Sequence, residues 1–295
     1  MTATGRAWVF PDAKPYDDHV GPFPGEEFVM AWMESVGSGS PVQAAAPGAF
    51  LPLVAADGTV TIAGEPSLTD YHSPLGADPG SLIPQLLEIR ESAAAVVLDS
   101  LPLESTRALE KAFGETGTET EVEEAEATAV VVVEGDYLDG LSKKQRHEVR
   151  RKHRRFSEMV GVPDLEVCDD REQAMDRFVE LHRQSDGDKG EFLTAGMEEF
   201  FRRLYSSPGW EIAELRAGSR VAASLFGYRE SDAYYLYNSA YNPEYREASP
   251  GVVALYMLIE HLVVSDCRRI DLLKGDEIYK FRMGATARPL HRISF

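Results

Sequence analysis

The sequence predicts an α/β protein of two tandem domains, each a mixed central sheet flanked by helices, with the first domain degenerate. Three observations carry that expectation. Short runs rich in β-branched and aromatic residues alternate with amphipathic stretches along the whole chain. The order strand, strand, loop, helix, strand, helix, strand in the first ~135 residues recurs in the second half. A chain of 295 residues, 43% hydrophobic and 27% charged, is long enough and apolar enough for two cores.

In chain order, Pro22–Val29 and Val36–Pro47 are rich in Gly, Pro, Ser and Ala and predict loops around a short helix at Glu26–Glu34. Phe50–Ala55 and Thr59–Ala63 flank Asp57-Gly58, a hairpin signal. A loop with Asp70-Tyr71-His72-Ser73-Pro74 follows, then a helical pattern from Ser81 to Ala93 built on Leu82, Leu86, Ile89 and Ala93. Ala94–Leu98 and Thr128–Val133 predict buried strands around a helix at Leu103–Phe113. Asp136–Gly140 is the expected junction, dividing residues 1–140 from 141–295.

The second half opens with Ser142 and Gln145, a capping box, so a helix starts there and runs through 142–156. Leu165–Cys168 predicts a strand, and Glu172–Arg183 and Ala195–Tyr205 predict amphipathic helices. Trp210–Arg216 and Val221–Arg229 form a hairpin pattern around Ala217-Gly218-Ser219-Arg220. In Ala233–Tyr241, period two puts Tyr235, Tyr237, Ser239 and Tyr241 on one face and Tyr234, Leu236, Asn238 and Ala240 on the other. Asn242-Pro243 ends that strand. Ser249 stands at an N-cap, Pro250 at the first helical position, and Val252 to Val264 supply an apolar helix. Such a strand, loop and helix start offers free backbone N–H groups and a helix dipole to phosphate. A strand at Arg269–Leu273, a short helix through Met283 and a strand at Leu290–Phe295 complete the chain.

The segments Leu236-Tyr237-Asn238-Ser239-Ala240-Tyr241, Ser249-Pro250-Gly251 and Lys274-Gly275-Asp276-Glu277-Ile278-Tyr279-Lys280-Phe281-Arg282-Met283-Gly284-Ala285 resemble the GNAT superfamily of acyl-CoA N-acyltransferases. The branch is similar to the cellulose-biosynthesis-type acetyltransferases and is related to the FemABX-type aminoacyl transferases. The resemblance covers roughly residues 140–295. One element departs from it: Arg246-Glu247-Ala248-Ser249-Pro250-Gly251 replaces the usual Gln/Arg-x-x-Gly-x-Gly/Ala loop.

The resemblance implies an acyl-CoA co-substrate, such as acetyl-CoA, entering between splayed fourth and fifth strands, with a backbone N–H of the fourth polarising the thioester. It places Asn238, Ser239, Tyr241, Arg246, Ser249 and Gly251 at the donor. Tyr279 takes the position of the tyrosine that protonates the departing thiolate, although the usual Tyr-to-Gly spacing is one residue shorter than Tyr279 to Gly284. Lys280 and Arg282 match the FemABX segment that supports the transition state and the donor's 3′ end. Asp276 and Glu277, with Asp271 in the strand before them, are candidates for the base that neutralises the amine. Plainer readings stand beside each of these: a packing tyrosine, a solvated basic face paired with Asp276 and Glu277, and helix caps. The tandem arrangement would bring Asp70, Tyr71 and His72 to the acceptor.

Net charge is −19 at pH 7, with a sequence pI near 4.8, which disfavours a large nucleic-acid or anionic-membrane footprint. Against it, Ser142 to Arg155 holds eight Lys or Arg residues in fourteen positions, just after a run of Glu119, Glu121, Glu123, Glu124 and Glu126. Lys143–Arg155 either contacts tRNA or answers that acidic run as an exposed helix. Cys168 and Cys267 sit in no metal-ligand spacing, and no metal is expected. No apolar run approaches the roughly 20 residues that span a bilayer, and Met1 to Arg6 carries no apolar leader segment. A cytoplasmic enzyme is expected, one that acylates an amine of a small or sugar-linked metabolite from acyl-CoA. An aminoacyl-tRNA-dependent transferase is the alternative, and an inactive binding module of the same fold is a third reading.

Overall fold

A computed structural model describes residues 7–184 and 193–295; the stretch Met1 to Arg6 discussed above lies outside them. The chain forms two compact α/β units, residues 1–127 with 288–295, and residues 128–287. The two-unit plan is the one the sequence predicts.

The first unit holds α1 (Glu26–Ser35), β1 (Ser40–Ala46), β2 (Ala49–Ala56), β3 (Thr59–Ile62), β4 (Leu75–Gly76), α2 (Ile83–Glu91), β5 (Ala95–Leu101) and α3 (Leu103–Thr116). β1, β2 and β3 form an antiparallel meander, closed at Asp57-Gly58, where both residues have positive φ (48° and 78°) as a tight hairpin turn requires. After α2 the chain returns with β5 parallel to β3. Leu51, Leu53, Leu82, Leu86, Leu98 and Phe113 form the core.

The second unit repeats this order. It contains α4 (Tyr137–Gly140), α5 (Lys143–Met159), β7 (Asp164–Val167), α6 (Arg171–Arg183), α7 (Ala195–Ser206), β8 (Trp210–Ala217), β9 (Arg220–Glu230), β10 (Ala233–Tyr241), α8 (Pro250–Val264), β11 (Arg269–Lys274) and α9 (Ile278–Arg282). β8, β9 and β10 form an antiparallel meander, and after α8 the chain returns with β11 parallel to β10. α8 is apolar almost all round because it is covered on most sides: Val253, Leu255, Leu258 and Leu262 join Ile270 and Leu272 of β11 and Val149 and Phe156 of α5 in one core. On the sheet's other face, Phe178, Phe201, Trp210 and Phe226 interlock, with Trp210 and Phe226 stacked at 4.9 Å.

The last strand of each unit comes from the opposite half of the sequence. β12 (Thr286–Ser294) pairs antiparallel with β5 through His291 to Ser294. Residues 128–132 of β6 (Glu121–Val132) pair antiparallel with β11. The compact units therefore do not divide at 140/141. Asp136–Gly140 is a helical turn of the second unit, not a linker: Tyr137 is buried and its hydroxyl donates to the Met283 carbonyl at 2.8 Å. Residues 40–46, expected as loop, are strand β1. Pairing with β2 overrides their Gly- and Pro-rich surroundings, and the Trp8 indole donates to the Val42 and Leu53 carbonyls. Glu121, Glu123, Glu124 and Glu126 of the glutamate run lie within β6, their side chains exposed.

Candidate functional site

A bulge in β10 decides which of its side chains meet the cavity beside it. The β9–β10 register slips between Leu236 and Asn238, and an inserted residue reverses the alternation of faces beyond it. Leu236, Ser239 and Tyr241 consequently line one cavity. Tyr237 packs on the opposite face against Phe201 and Trp210. Asn238 leaves the expected donor-binding set, because its Oδ1 accepts a hydrogen bond from His182 Nε2 at 2.8 Å. His182 of α6 is buried and supplies that bond.

β10 and β11 register only through Ala233, Tyr234 and Tyr235 against Arg269, Ile270 and Asp271. Past that point β11 turns out of extended geometry, with φ of 59° at Leu273 and 115° at Gly275. Buried groups hold the turn. Asp271 Oδ1 accepts the Leu273 N–H at 2.9 Å. Lys280, 3% exposed, donates to the carbonyls of Leu273 (3.3 Å) and Lys274, and pairs with Glu277 Oε2 at 2.9 Å. A Cβ on Gly275 would stand 2.3 Å from that carboxylate, so only glycine fits.

A cavity of about 250 Å³ lies beside the part of β10 beyond its last pair with β11. Ser239 and Tyr241 reach it from β10, Arg246 from the 3-10 turn Pro243–Ala248, and Ser249 and Gly251 from the start of α8. Tyr279 of α9 forms another wall, and Lys152 of α5, which the sequence does not distinguish from its basic neighbours, forms a third. Burial, and secondarily the charge of Glu277, pushes the Tyr279 hydroxyl up to about 12 although 38% of the residue is exposed. Lys152 is held below the ordinary lysine range, first by burial, with Glu148 opposing and Arg151 and Arg282 adding to the depression.

The start of α8 differs from the expected row of free N–H groups. Ser249 lies in the left-handed region (φ 56°), and its hydroxyl makes no capping bond. Pro250 has no N–H, and those of Val252 and Val253 both turn back to the Ser249 carbonyl at 3.2 Å. Among the described residues, the Gly251 N–H alone in this turn has no partner.

Arg282 stands apart from the cavity, on a groove of about 1270 Å³ whose other walls include Lys143, Lys144, Arg146 and Arg150. The capping box of α5 forms as predicted, and Val149 and Phe156 are its two buried residues. Glu277 is engaged by Lys280, and Asp276 is exposed on the loop before α9. Asp271 is wholly buried under the β11 turn rather than open to an amine. In the first unit, Tyr71 and His72 are interior residues. Tyr71 lies against Phe23 with the Arg288 guanidinium 5.1 Å from its ring. The His72 ring nitrogen Nδ1 donates to Asp99 Oδ1 at 2.8 Å. Both are closed to an acceptor by core packing, and Asp70 beside them is half-buried.

This arrangement, a splayed parallel strand pair with a cavity at the following helix, defines an acyltransferase of α/β class. Residues 143–281 match the family described as Acetyltransferase (GNAT) domain. The domain they form belongs to the GNAT superfamily. Three solved structures share the fold over nearly the whole chain. L-PGS from Bacillus licheniformis is 12% identical, with 96% of this chain and 93% of that one covered at a TM-score of 0.60. FemX is 11% identical, with 95% and 92% covered at 0.63. A conserved protein from Bacteroides thetaiotaomicron is 12% identical, with 94% and 92% covered at 0.64. No curated protein sequence matches the chain. Among the described residues, no helix is long and apolar enough to cross a membrane.

Proposed function

We propose that the second unit transfers an acyl group from an acyl-CoA thioester to the amine of a small or sugar-linked metabolite. The observation that carries this reading is the cavity itself, where the face of β10 beyond the bulge, the start of α8 and Tyr279 converge beside the part of β10 that β11 no longer pairs. A thioester lying in that gap would meet backbone that the sheet does not consume. The neutral amine adds to its carbonyl, and the tetrahedral oxyanion collapses with cleavage of the C–S bond. Tyr279, protonated throughout the neutral range, gives its proton to the departing sulfur, and the proton shed by the nitrogen as the amide forms passes through solvent and returns the phenolate to the phenol. Lys280 acts on this chemistry through β11, since its ammonium is taken up by two carbonyls and Glu277. A proton-bearing group on the cavity wall favours an enzyme over an inactive module.

Gly251→Glu tests the location. A Cβ at Gly251 meets nothing closer than Tyr241 at 4.0 Å, so the helix tolerates a side chain there while the carboxylate fills the cavity. Calorimetry is expected to show acetyl-CoA affinity lowered by at least about tenfold, from lost space and like-charge repulsion, with the circular dichroism of the wild type. Unchanged affinity in the folded variant would move the donor site elsewhere.

The basic groove favours a second reading, in which the donor is an aminoacyl-tRNA. FemX and L-PGS share the fold across both units, which is consistent with that donor as well.

A further inference from the structure

Resting on the donor reading above, we infer that phosphate recognition in the donor cavity has passed from the backbone to side chains, with Lys152 as the residue that selects for the donor's phosphates and Arg246 beside it. The start of α8 leaves one N–H without a partner, at Gly251, where a helix start ordinarily offers several. One such donor is a weak anion site. A cation must supply the rest, and α5 is built to deliver it. Val149 and Phe156 are the buried positions of that helix. Lys152 stands three residues after the first and four before the second, so it lies on the same inward face. That spacing turns it to the cavity, while its neighbours are engaged elsewhere: Arg151 with Glu148 at 2.8 Å, Arg154 with Glu158 at 3.8 Å, and Arg155 with Glu247 at 2.9 Å.

Lys152 itself makes no hydrogen bond or ion pair among the described residues. The charged and titratable groups around it are Glu148 and Arg151 on its own helix, Arg282 and Tyr279 on α9, and Arg246 on the 3-10 turn. The one acid in that set, Glu148, is held by Arg151 through two bonds of 2.9 and 2.8 Å. A partly desolvated ammonium with no carboxylate of its own is unfavourable in the empty cavity, and an incoming phosphate relieves it. The depressed pKa has the same origin. The protonated form binds, so donor affinity falls as pH rises through the lowered lysine value.

The test compares CoA, which carries phosphates, with pantetheine, which carries none, by calorimetry on the full chain. Lys152→Met is expected to weaken CoA by about tenfold or more, the scale of a charge-assisted contact, and to leave pantetheine unchanged. Lys152→Arg should restore CoA binding and flatten its decline at alkaline pH. Inorganic pyrophosphate is titrated in parallel, because it reads the anion site without an acyl donor. Wild-type protein that binds pyrophosphate more tightly than Lys152→Met supports the inference even where CoA does not bind and the donor reading itself fails. Equal pyrophosphate affinity in the two proteins, no pyrophosphate binding by wild type, or equal losses of CoA and pantetheine in Lys152→Met would overturn it.

Discussion

Tyr279 and Lys280 are neighbours in sequence with opposite surroundings, and the two predict different kinetic losses. The Tyr279 hydroxyl keeps its proton until about pH 12. Tyr279→Phe is therefore expected to lower kcat by about 10²–10⁴-fold, the range of a positioned acid, with donor affinity by calorimetry unchanged. Because the phenol ionises only near 12, removing it should lower the rate profile without reshaping it below pH 10 or so. A shifted alkaline limb would assign that limb to Tyr279 and contradict its pKa. Lys280 is expected to show itself in stability and donor KM. Lys280→Met removes the buried ammonium that donates to the Leu273 and Lys274 carbonyls, a loss of about 1–3 kcal/mol, and loosens the end of β11. Stopped-flow single turnovers at saturating donor should run near the wild-type rate. A rate lowered a hundredfold there, with KM unchanged, would return Lys280 to the oxyanion. The residue types at 279–282 are legible in sequence, but the directions of their side chains are not. A short helix on a turn of positive φ points Lys280 inward and Arg282 outward, and only the fold of β11 determines that. Lys152 is hidden for a related reason: it is one of eight cations, and what singles it out is its spacing from Val149 and Phe156.

Among the elements, α5 separates the two donors. Arg151 and Arg154 are paired with glutamates on their own helix. Lys143, Lys144 and Arg150 line the groove and are the residues to reverse. An aminoacyl-tRNA donor predicts steep salt dependence, with a log–log slope of about 0.7–0.9 per neutralised phosphate. Lys143→Glu, Lys144→Glu and Arg150→Glu together should then lower that slope by about two to three and abolish transfer. Full activity with acyl-CoA in the triple variant would leave the groove with no part in donor binding. Boundaries of α5 to α8 and of β8 to β10 follow closely from sequence because each ends in strong local signals: the capping box at Ser142, Asn242-Pro243 and Ser249-Pro250. Two features did not follow. The bulge at Leu236–Asn238 adds one residue inside a run whose composition reads as plain strand, so period-two counting groups Tyr237 with Ser239 and Tyr241 where the structure groups Leu236 with them. The left-handed Ser249 leaves an N-cap residue type in place without the capping bond, since backbone dihedrals rather than residue identity decide whether the hydroxyl can reach.

At the scale of the molecule, the repeated element order was legible, whereas the exchange of final strands was not. Strand pairing between distant segments has no local signature, and residues 288–295 carry nothing that distinguishes a strand of one half from a strand of the other. The exchange makes a specific prediction about stability. Ile293 is fully buried in the first unit beside Leu98, Phe295 lies 4.5 Å from Phe113, and Arg90 donates to the Phe295 carbonyl at 2.9 Å. Arg292 pairs with Glu123, and Arg288 donates to the Asp18 and His19 carbonyls. All of these partners belong to the first unit. Ile293→Ala should therefore cost about 2–5 kcal/mol, the range for emptying a core isoleucine site, and the cost should fall on the first unit. Native-state hydrogen exchange is expected to show protection lost in β5 and α3, while α8 and β10 of the second unit keep theirs. A chain ending at Ala287 should show the same pattern more severely, because it removes the whole pairing with β5. Protection lost first in α8 and β10, with β5 intact, would mean that the carboxy-terminal strand stabilises the half of the sequence it comes from, and the unit assignment of residues 288–295 would be wrong.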